Sequence, residues 1–380
     1  IKTSKTGMLK FYGYFNSNGL GVRRPDIDSV ALQNAFELDN LNVYANLSWK
    51  ESLGRKWRLY LGTSFSTNTD KIRTILEEAD DKPADITTDP FDAKTFRVKT
   101  LGQLSQLKAV LERRLYGLSA LRFGGEYMYF RDRSDFTNRY ITNAHTRYDD
   151  HFKAAFAEAD VYVTNDIAAK VGTRFEHSSI LQRSNVVPRV SLAYKVGNQG
   201  QVSLAYGTFY QKPEKEFWLQ PYVLNDLLYT KATHYIANYQ RISRDYTLRI
   251  EAFYKKYNDL IKTWPSQGAS TADSVTNGGF GNAKGIELFW RDRKTIPNLD
   301  YWISYSYLDT KRDFLNYPCA IQPSFAATHT ANLVVKKLIM KWKMMFNASY
   351  TFATGRPYYN IRYNGVQGKF TSADQGKTIP

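Results

Sequence analysis

The sequence predicts an all-β chain folded as a membrane-spanning antiparallel up-and-down β-barrel. Three observations predict it. Long segments alternate in side-chain character with a period of two, which marks strands with unlike surroundings on their two faces. These segments reach or pass ten residues, about twice the usual length in soluble sheets and enough for the roughly 9–11 tilted residues of a transmembrane strand. The connections between them alternate short and long, as in a barrel with tight turns at one rim and long loops at the other.

Taken in order, about 15 strands are expected. The first covers 7–16. In 40–50, Leu41, Val43, Ala45, Leu47 and Trp49 share one face, and in 56–68 Trp57, Leu59, Leu61, Thr63 and Phe65 do. The polar stretch 69–103 reads as a long loop whose IRTILEEA portion suits a short helix. Strands resume at 104–115 and 118–134, where Leu121, Phe123, Tyr127 and Tyr129 oppose Arg122, Glu126 and Met128. The segments 151–164 and 167–180 pair across Asn165-Asp166, a tight-turn dipeptide. Next come 187–196 and 200–211 about GNQ, then 230–242 and 245–262 about SRD. The last four strands occupy 282–359. Tyr301, Ile303, Tyr305 and Tyr307 share a face there, as do Trp342, Met344, Phe346, Ala348, Tyr350 and Phe352.

Composition agrees with this reading. Aromatics make up 15% of the 380 residues, with 28 Tyr and 22 Phe. The mean hydropathy of −0.49 looks soluble, but half of every barrel strand faces a polar lumen. A helical membrane span would need about 18 or more consecutive apolar residues, and none exists. The formal charge of +16 raises the question of nucleic acid. The basic residues are spread along the whole chain without a finger or helix-turn-helix spacing, so no nucleic-acid partner is expected. The lipid bilayer and lipopolysaccharide phosphates suit basic loops and rims. Cys319 is the single cysteine, which excludes an internal disulfide and a Cys-rich metal site. A soluble propeller would show a repeat with a blade signature, and none is present.

Bacterial single-chain barrels have even strand numbers, and an open set would leave unsatisfied backbone edges in lipid. The chain also opens at Ile1 without a leader and stops at Pro380 in a Gly/Ser/Lys-rich stretch. The expectation is a partial barrel domain, 1–380, cut from a longer polypeptide.

From 189 to 357 the order of segments resembles the C-terminal half of a TonB-dependent outer-membrane receptor. PRVSLAYKV, SLAYGTFYQKP, KATHYIANYQR, LRIEAFYKKYNDLIK, GNAKGIELFWR, WISYSYLDTKRD, THTANLVV and YTFATGRPYYN carry it. The resemblance implies a 22-stranded barrel, with the remaining strands outside 1–380. It implies a plug domain of the same parent chain, and a TonB complex that acts through an N-terminal part not in this stretch. It also implies energised uptake of a scarce nutrient: a siderophore, vitamin, metal chelate, oligosaccharide or peptide. A surface lipoprotein partner and the cell outer membrane as location belong to the same expectation. The alternative is a passive porin or a structural or secretion barrel.

No enzyme motif occurs: there is no HExxH, Walker loop, GxSxG elbow or Cys/His cluster. Neither catalytic residue, cofactor nor metal ligand is assigned. His145, His151, His177, His234 and His329 are scattered, with His234 and His329 placed at loop-to-strand junctions. Glu126, Glu158, Asp160, Lys170, Arg174, Glu176, Arg249, Glu251, Glu287 and Arg291 fall on the polar parity of their strands. They are expected to form a charged lumen wall, since intramembrane charges face a barrel's interior. Asp80-Asp81 and Asp149-Asp150 are read as external-loop pairs that either bind Ca²⁺ or remain solvated. Ligand-contact candidates are the loop aromatics Phe217, Trp218, Tyr222, Trp264, Tyr317, Tyr358 and Tyr359, because loops on a rigid scaffold commonly carry binding. Girdle or loop packing is the competing role.

Overall fold

The computed structural model describes residues 1–84, 91, 94–138, 140, 144–218, 227–264, 274–359, 361–364 and 369–372. Fifteen strands form one sheet, each paired antiparallel with its neighbour in chain order. They are β1 (Met8–Pro25), β2 (Leu32–Leu53), β3 (Trp57–Glu78), β4 (Phe96–Arg114), β5 (Ala120–Asn138), β6 (Ala144–Tyr162), β7 (Ile167–Ser178) and β8 (Arg183–Val196). Then come β9 (Gly200–Gln211), β10 (Thr230–Ile242), β11 (Tyr246–Trp264), β12 (Ser274–Asp292), β13 (Leu299–Asp313), β14 (His329–Ile339) and β15 (Met344–Ala353). A small separate hairpin, not expected from the residues, joins β16 (Ile361–Asn364) to β17 (Lys369–Ser372). Among the described residues, no helix is long and apolar enough to cross a membrane.

The period-two pattern becomes two faces. Val171 pairs with Val190, Val190 with Tyr206, Tyr206 with Tyr235, and Tyr235 with Tyr254. All five side chains are exposed, which makes one continuous apolar stripe on the outer face. Aromatics gather at two heights of that face. Tyr206, Tyr235 and Tyr254 stack in sequence, and Tyr307 packs on His329. Nearer the short turns, Tyr246 stacks on Trp290. Amphipathic rings at two levels match the girdles that sit at the two membrane–water interfaces. The inner face carries the polar parity. Close packing there uses glycine: a Cβ on Gly285 would lie 2.3 Å from the Tyr307 carbonyl oxygen and 2.7 Å from the Phe253 ring.

One rim is made of tight turns. Gly54, Gly117 and Gly197 take left-handed φ values in three of them, which glycine adopts without steric cost. The expectations at the other rim need correction. Residues 72–78 extend β3, pairing with β2 throughout and with β4 as far as Thr74, and form no helix. Likewise β1 runs to Pro25 and β2 starts at Leu32, so much of the expected loop 17–39 is strand. These extensions mix apolar residues such as Ala35, Ile75 and the fully buried Leu76 with charged ones out of strict alternation, which hides the strand signal while leaving backbone pairing intact. Trp342 belongs to a 3-10 turn (Met340–Trp342) rather than to the face of β15.

The sheet is not closed. Among the described residues, β15 has a strand on one side only, and beyond β1 lies only an antiparallel bridge from Lys2 to Met8.

Candidate functional site: the lumen wall and its mouth

Glu126, Glu158, Arg174, Glu176, Arg249, Glu251, Glu287 and Arg291 fall on one face of the sheet, opposite the apolar stripe. Toward the short-turn rim they link strand to strand. Glu112 receives Arg58 at 3.4 Å and Arg122 at 2.9 Å, and Arg122 reaches Asp160 at 2.5 Å. Lys170 continues the band to Glu158 at 3.3 Å. Higher on the wall, Arg174 bridges Glu126 at 2.9 Å and Glu176 at 2.5 Å, while Gln106 donates to Glu126. On the far side, Arg249 pairs with Glu251 at 2.7 Å. Glu287 lies opposite Glu251 and is exposed. Arg291 grips Asp300 with two hydrogen bonds, at 2.9 and 2.5 Å, beside the Trp302 ring.

The outer mouth is narrowed by chain folded onto this face. Phe152, Ala154, Leu181, Leu227, Tyr229, Ile261 and Val275 form a buried apolar cluster, with Phe130 and Phe217 against it. Lys212, just past β9, anchors one side. Its ammonium pairs with the fully buried Asp150 carboxylate and sits 3.9 Å from the Phe130 ring centroid. Ser178 donates to the same carboxylate at 2.8 Å. Lys215 adds a second anchor to Asp132 at 2.9 Å.

This overturns the reading of Asp149-Asp150 as a loop pair. Both lie within β6, where consecutive residues point to opposite faces, so they do not converge on one cation. Asp149 accepts from Tyr129 and Arg131 instead. Asp80 pairs with Lys82 and Asp81 accepts from Gln33. No group of three or more His, Cys, Asp or Glu suited to a metal occurs among the described residues.

The aromatic candidates separate. Phe217 packs on the mouth cluster. Tyr317 is buried; its carbonyl accepts from Lys262, its hydroxyl accepts from the Ser324 amide at 3.1 Å, and its ring meets Phe314 edge-on. Tyr359 lies half-buried, 6.3 Å from Tyr317 between centroids, and Tyr358 is exposed. Tyr222 and the side chains of Trp218 and Trp264 lie outside the described residues. His329 is the first residue of β14, at a junction as expected, whereas His234 sits inside β10. Sequence reasoning missed Asp150 and Lys212 as partners; an acidic residue on the inner parity of an apolar-flanked strand was the available signal.

Two charged sites lie at the rims. At the long-loop rim, the hydrogen bond from Lys94 holds the Asp26 carboxyl below the usual carboxylate range. At the short-turn rim, burial pushes the Asp292 carboxyl up. Donors from Thr295, Lys294 and Tyr301 outweigh it and hold the group at about 2.

An apolar outer face with two aromatic levels, an ion-paired inner face and alternating rims define the wall of a transmembrane up-and-down β-barrel. The chain belongs to the TonB dependent receptor-like, beta-barrel family, whose pattern matches residues 3–377. No curated protein matches the chain in sequence. Solved structures share its fold at low identity. The outer membrane transporter YddB from Escherichia coli is 11% identical with a TM-score of 0.72, over 95% of this chain and 56% of that one. The siderophore receptor PirA from Acinetobacter baumannii is 10% identical with a TM-score of 0.65, over 92% and 59%. The RagAB peptide importer is 10% identical with a TM-score of 0.61, over 91% and 51%. The chain thus spans about half to three fifths of the length of these transporters and receptors.

Proposed function

We propose that this chain is the barrel portion of an outer-membrane receptor that takes up a scarce nutrient by energised, plug-gated import. The observation that carries the reading is the two-faced sheet of fifteen strands within this family. The open edges of β1 and β15 expose unpaired backbone groups, each costing several kcal/mol in lipid. Further strands of the parent chain close the barrel, and the Lys2–Met8 bridge already has hairpin register. The charged wall of Glu126, Glu158, Arg174, Glu176, Arg249, Glu251, Glu287 and Arg291 contacts a plug domain through mixed charges. A TonB complex supplies the energy through that plug, and the protein performs no catalysis. Siderophores and peptides are favoured cargo classes because the named relatives receive or import them. Phe217, Trp218, Tyr222, Trp264, Tyr317, Tyr358 and Tyr359 are the proposed ligand contacts, and a surface lipoprotein lid is the proposed outer partner.

The parent gene provides the test. An upstream region encoding a folded domain of about 100–200 residues, and loss of growth on one nutrient when the gene is deleted, are expected. A parent chain with no such domain overturns plug gating.

A passive pore is the second reading. The anchoring of residues 212–217 over the inner face through Lys212–Asp150 and Lys215–Asp132 favours it, since such a segment acts as a constriction. Steady ion conductance of the full-length protein in planar bilayers would select this reading; a closed baseline selects the gated importer.

A further inference from the structure

One transverse row of the inner wall changes character along its length: from the ion-paired Arg122 and Glu158 it runs through Gly172 into a stretch that carries only basic charges. Register places Arg189 opposite Gly207, Gly207 opposite His234, and His234 opposite Lys255. Three basic side chains therefore share one height on β8, β10 and β11. Neighbouring strands lie about 4.8 Å apart, so the stems of Arg189 and Lys255 start about 15 Å from one another. Elsewhere on the wall, Arg58, Arg122, Lys170 and Arg174 all lie within ion-pair distance of carboxylates. Among the described residues, Arg189, His234 and Lys255 have no carboxylate partner and contact aromatic rings instead. The Arg189 guanidinium lies 4.8 Å from the Phe209 centroid and the His234 ring 4.6 Å from it, while Lys255 sits 4.8 Å from the Phe253 ring.

Gly207 opens space at the centre of the row. A Cβ there would lie 3.2 Å from the Phe209 ring and 3.5 Å from Arg189 Cγ. A cavity of about 250 Å³ occupies this place, lined by Arg189, Gly207, Phe209 and His234. Glu158 also lines it but is already paired with Lys170.

The geometry points to an anion-binding shelf on the lumen wall, formed by Arg189, His234 and Lys255 around Phe209, that takes a carboxylate or phosphate group. The Phe209 ring seats the guanidinium, and a planar guanidinium presents donors matched to carboxylate and phosphate oxygens. Lys255, next to His234 in the row and over the Phe253 ring, supplies a second positive charge beyond it. The anion has two sources: an acidic side chain of a domain seated in the lumen, or an anionic group of a solute passing through it. The inference rests on the proposal that this face lines a lumen.

The full-length parent protein in detergent tests it, with Arg189→Gln, Lys255→Gln and the double variant, plus Arg189→Lys as the conservative control. Heat-modifiable migration in electrophoresis shows that each variant has folded. Citrate is titrated by calorimetry, and urea-induced release of the lumen domain is followed by limited proteolysis. Citrate binding that weakens by about tenfold or more in the double variant supports a solute anion. No citrate binding, together with a lower urea midpoint in the double variant and partial recovery in Arg189→Lys, supports an acidic side chain of the lumen domain. Folded variants that change neither readout overturn the shelf. Separately, Arg189→Cys, introduced together with Cys319→Ser so that the native exposed cysteine does not react, is labelled with a membrane-impermeant maleimide in cells. Labelling by lipid-soluble reagents alone overturns the lumen assignment and the shelf with it, whereas impermeant labelling with neither readout changed overturns the shelf alone.

Discussion

Glu251 and Glu287 stand directly opposite each other across β11 and β12, both on the inner face. Like charges directly opposite are destabilising in an antiparallel pair, by up to about 1 kcal/mol. Arg249 answers Glu251 at 2.7 Å, but Glu287 is exposed and has no ion partner among the described residues. The wall therefore keeps an uncompensated carboxylate at a height where a lumen domain would meet it.

Replacing Glu287 by Gln is expected to raise the stability of the isolated wall by about 0.2–1 kcal/mol. In the full-length parent the same change is expected to loosen the lumen domain. Urea midpoints by tryptophan fluorescence, with and without that domain, check the two signs. A uniform gain in both would mean that Glu287 has no cation partner in the lumen.

The Asp150–Lys212 pair should be sensitive to single changes. Asp150 is fully buried, and Lys212 is enclosed by Phe130, Tyr148 and Phe152. Removing one partner of a buried pair costs about 3–5 kcal/mol because the other charge stays buried and unpaired. Lys212→Met is expected to destabilise the mouth by that order, and the double change Lys212→Met with Asp150→Leu to restore much of it. Hydrogen exchange of the β6 and β9 amides near the mouth measures both.

Charge placement should discriminate the two faces. Leu204 lies on the outer face and Ser203 on the inner one, in adjacent positions of β9. Arg at a mid-membrane lipid-facing site costs about 2–4 kcal/mol. Leu204→Arg is expected to lower folding efficiency into lipid vesicles by that order, and Ser203→Arg to leave it nearly unchanged. Equal effects would contradict the assignment of faces.

Asp292 gives a pH dependence with a definite sign. Its carboxyl is held at about 2 in the folded protein, below its ordinary value of 3.8. A depressed folded-state pKa contributes stability that is complete above the unfolded value and lost as pH falls toward the folded one. Unfolding midpoints are expected to drop between about pH 4 and pH 2, and Asp292→Asn to flatten that drop. Thermal melts across this range provide the check.

The two faces of the wall, the number of main strands and the short-turn rim were legible from residues alone. Alternation such as Leu248, Ile250, Ala252 and Tyr254 against Arg249, Glu251 and Phe253 is a local property: membrane and lumen are imposed at every second residue, within one strand. Strand limits at the mouth were not legible, because 17–25 and 72–78 pair through backbone atoms while their side chains do not alternate cleanly between apolar and polar. Nor was the fate of individual charges. Asp150 meets Lys212 and Ser178, and Arg189 shares a row with His234 and Lys255, only because strand register brings distant residues to one height. Sequence fixes which face a side chain takes, since that follows from its own backbone. Which partners it finds there depends on the register of neighbouring strands, and only the assembled sheet decides that.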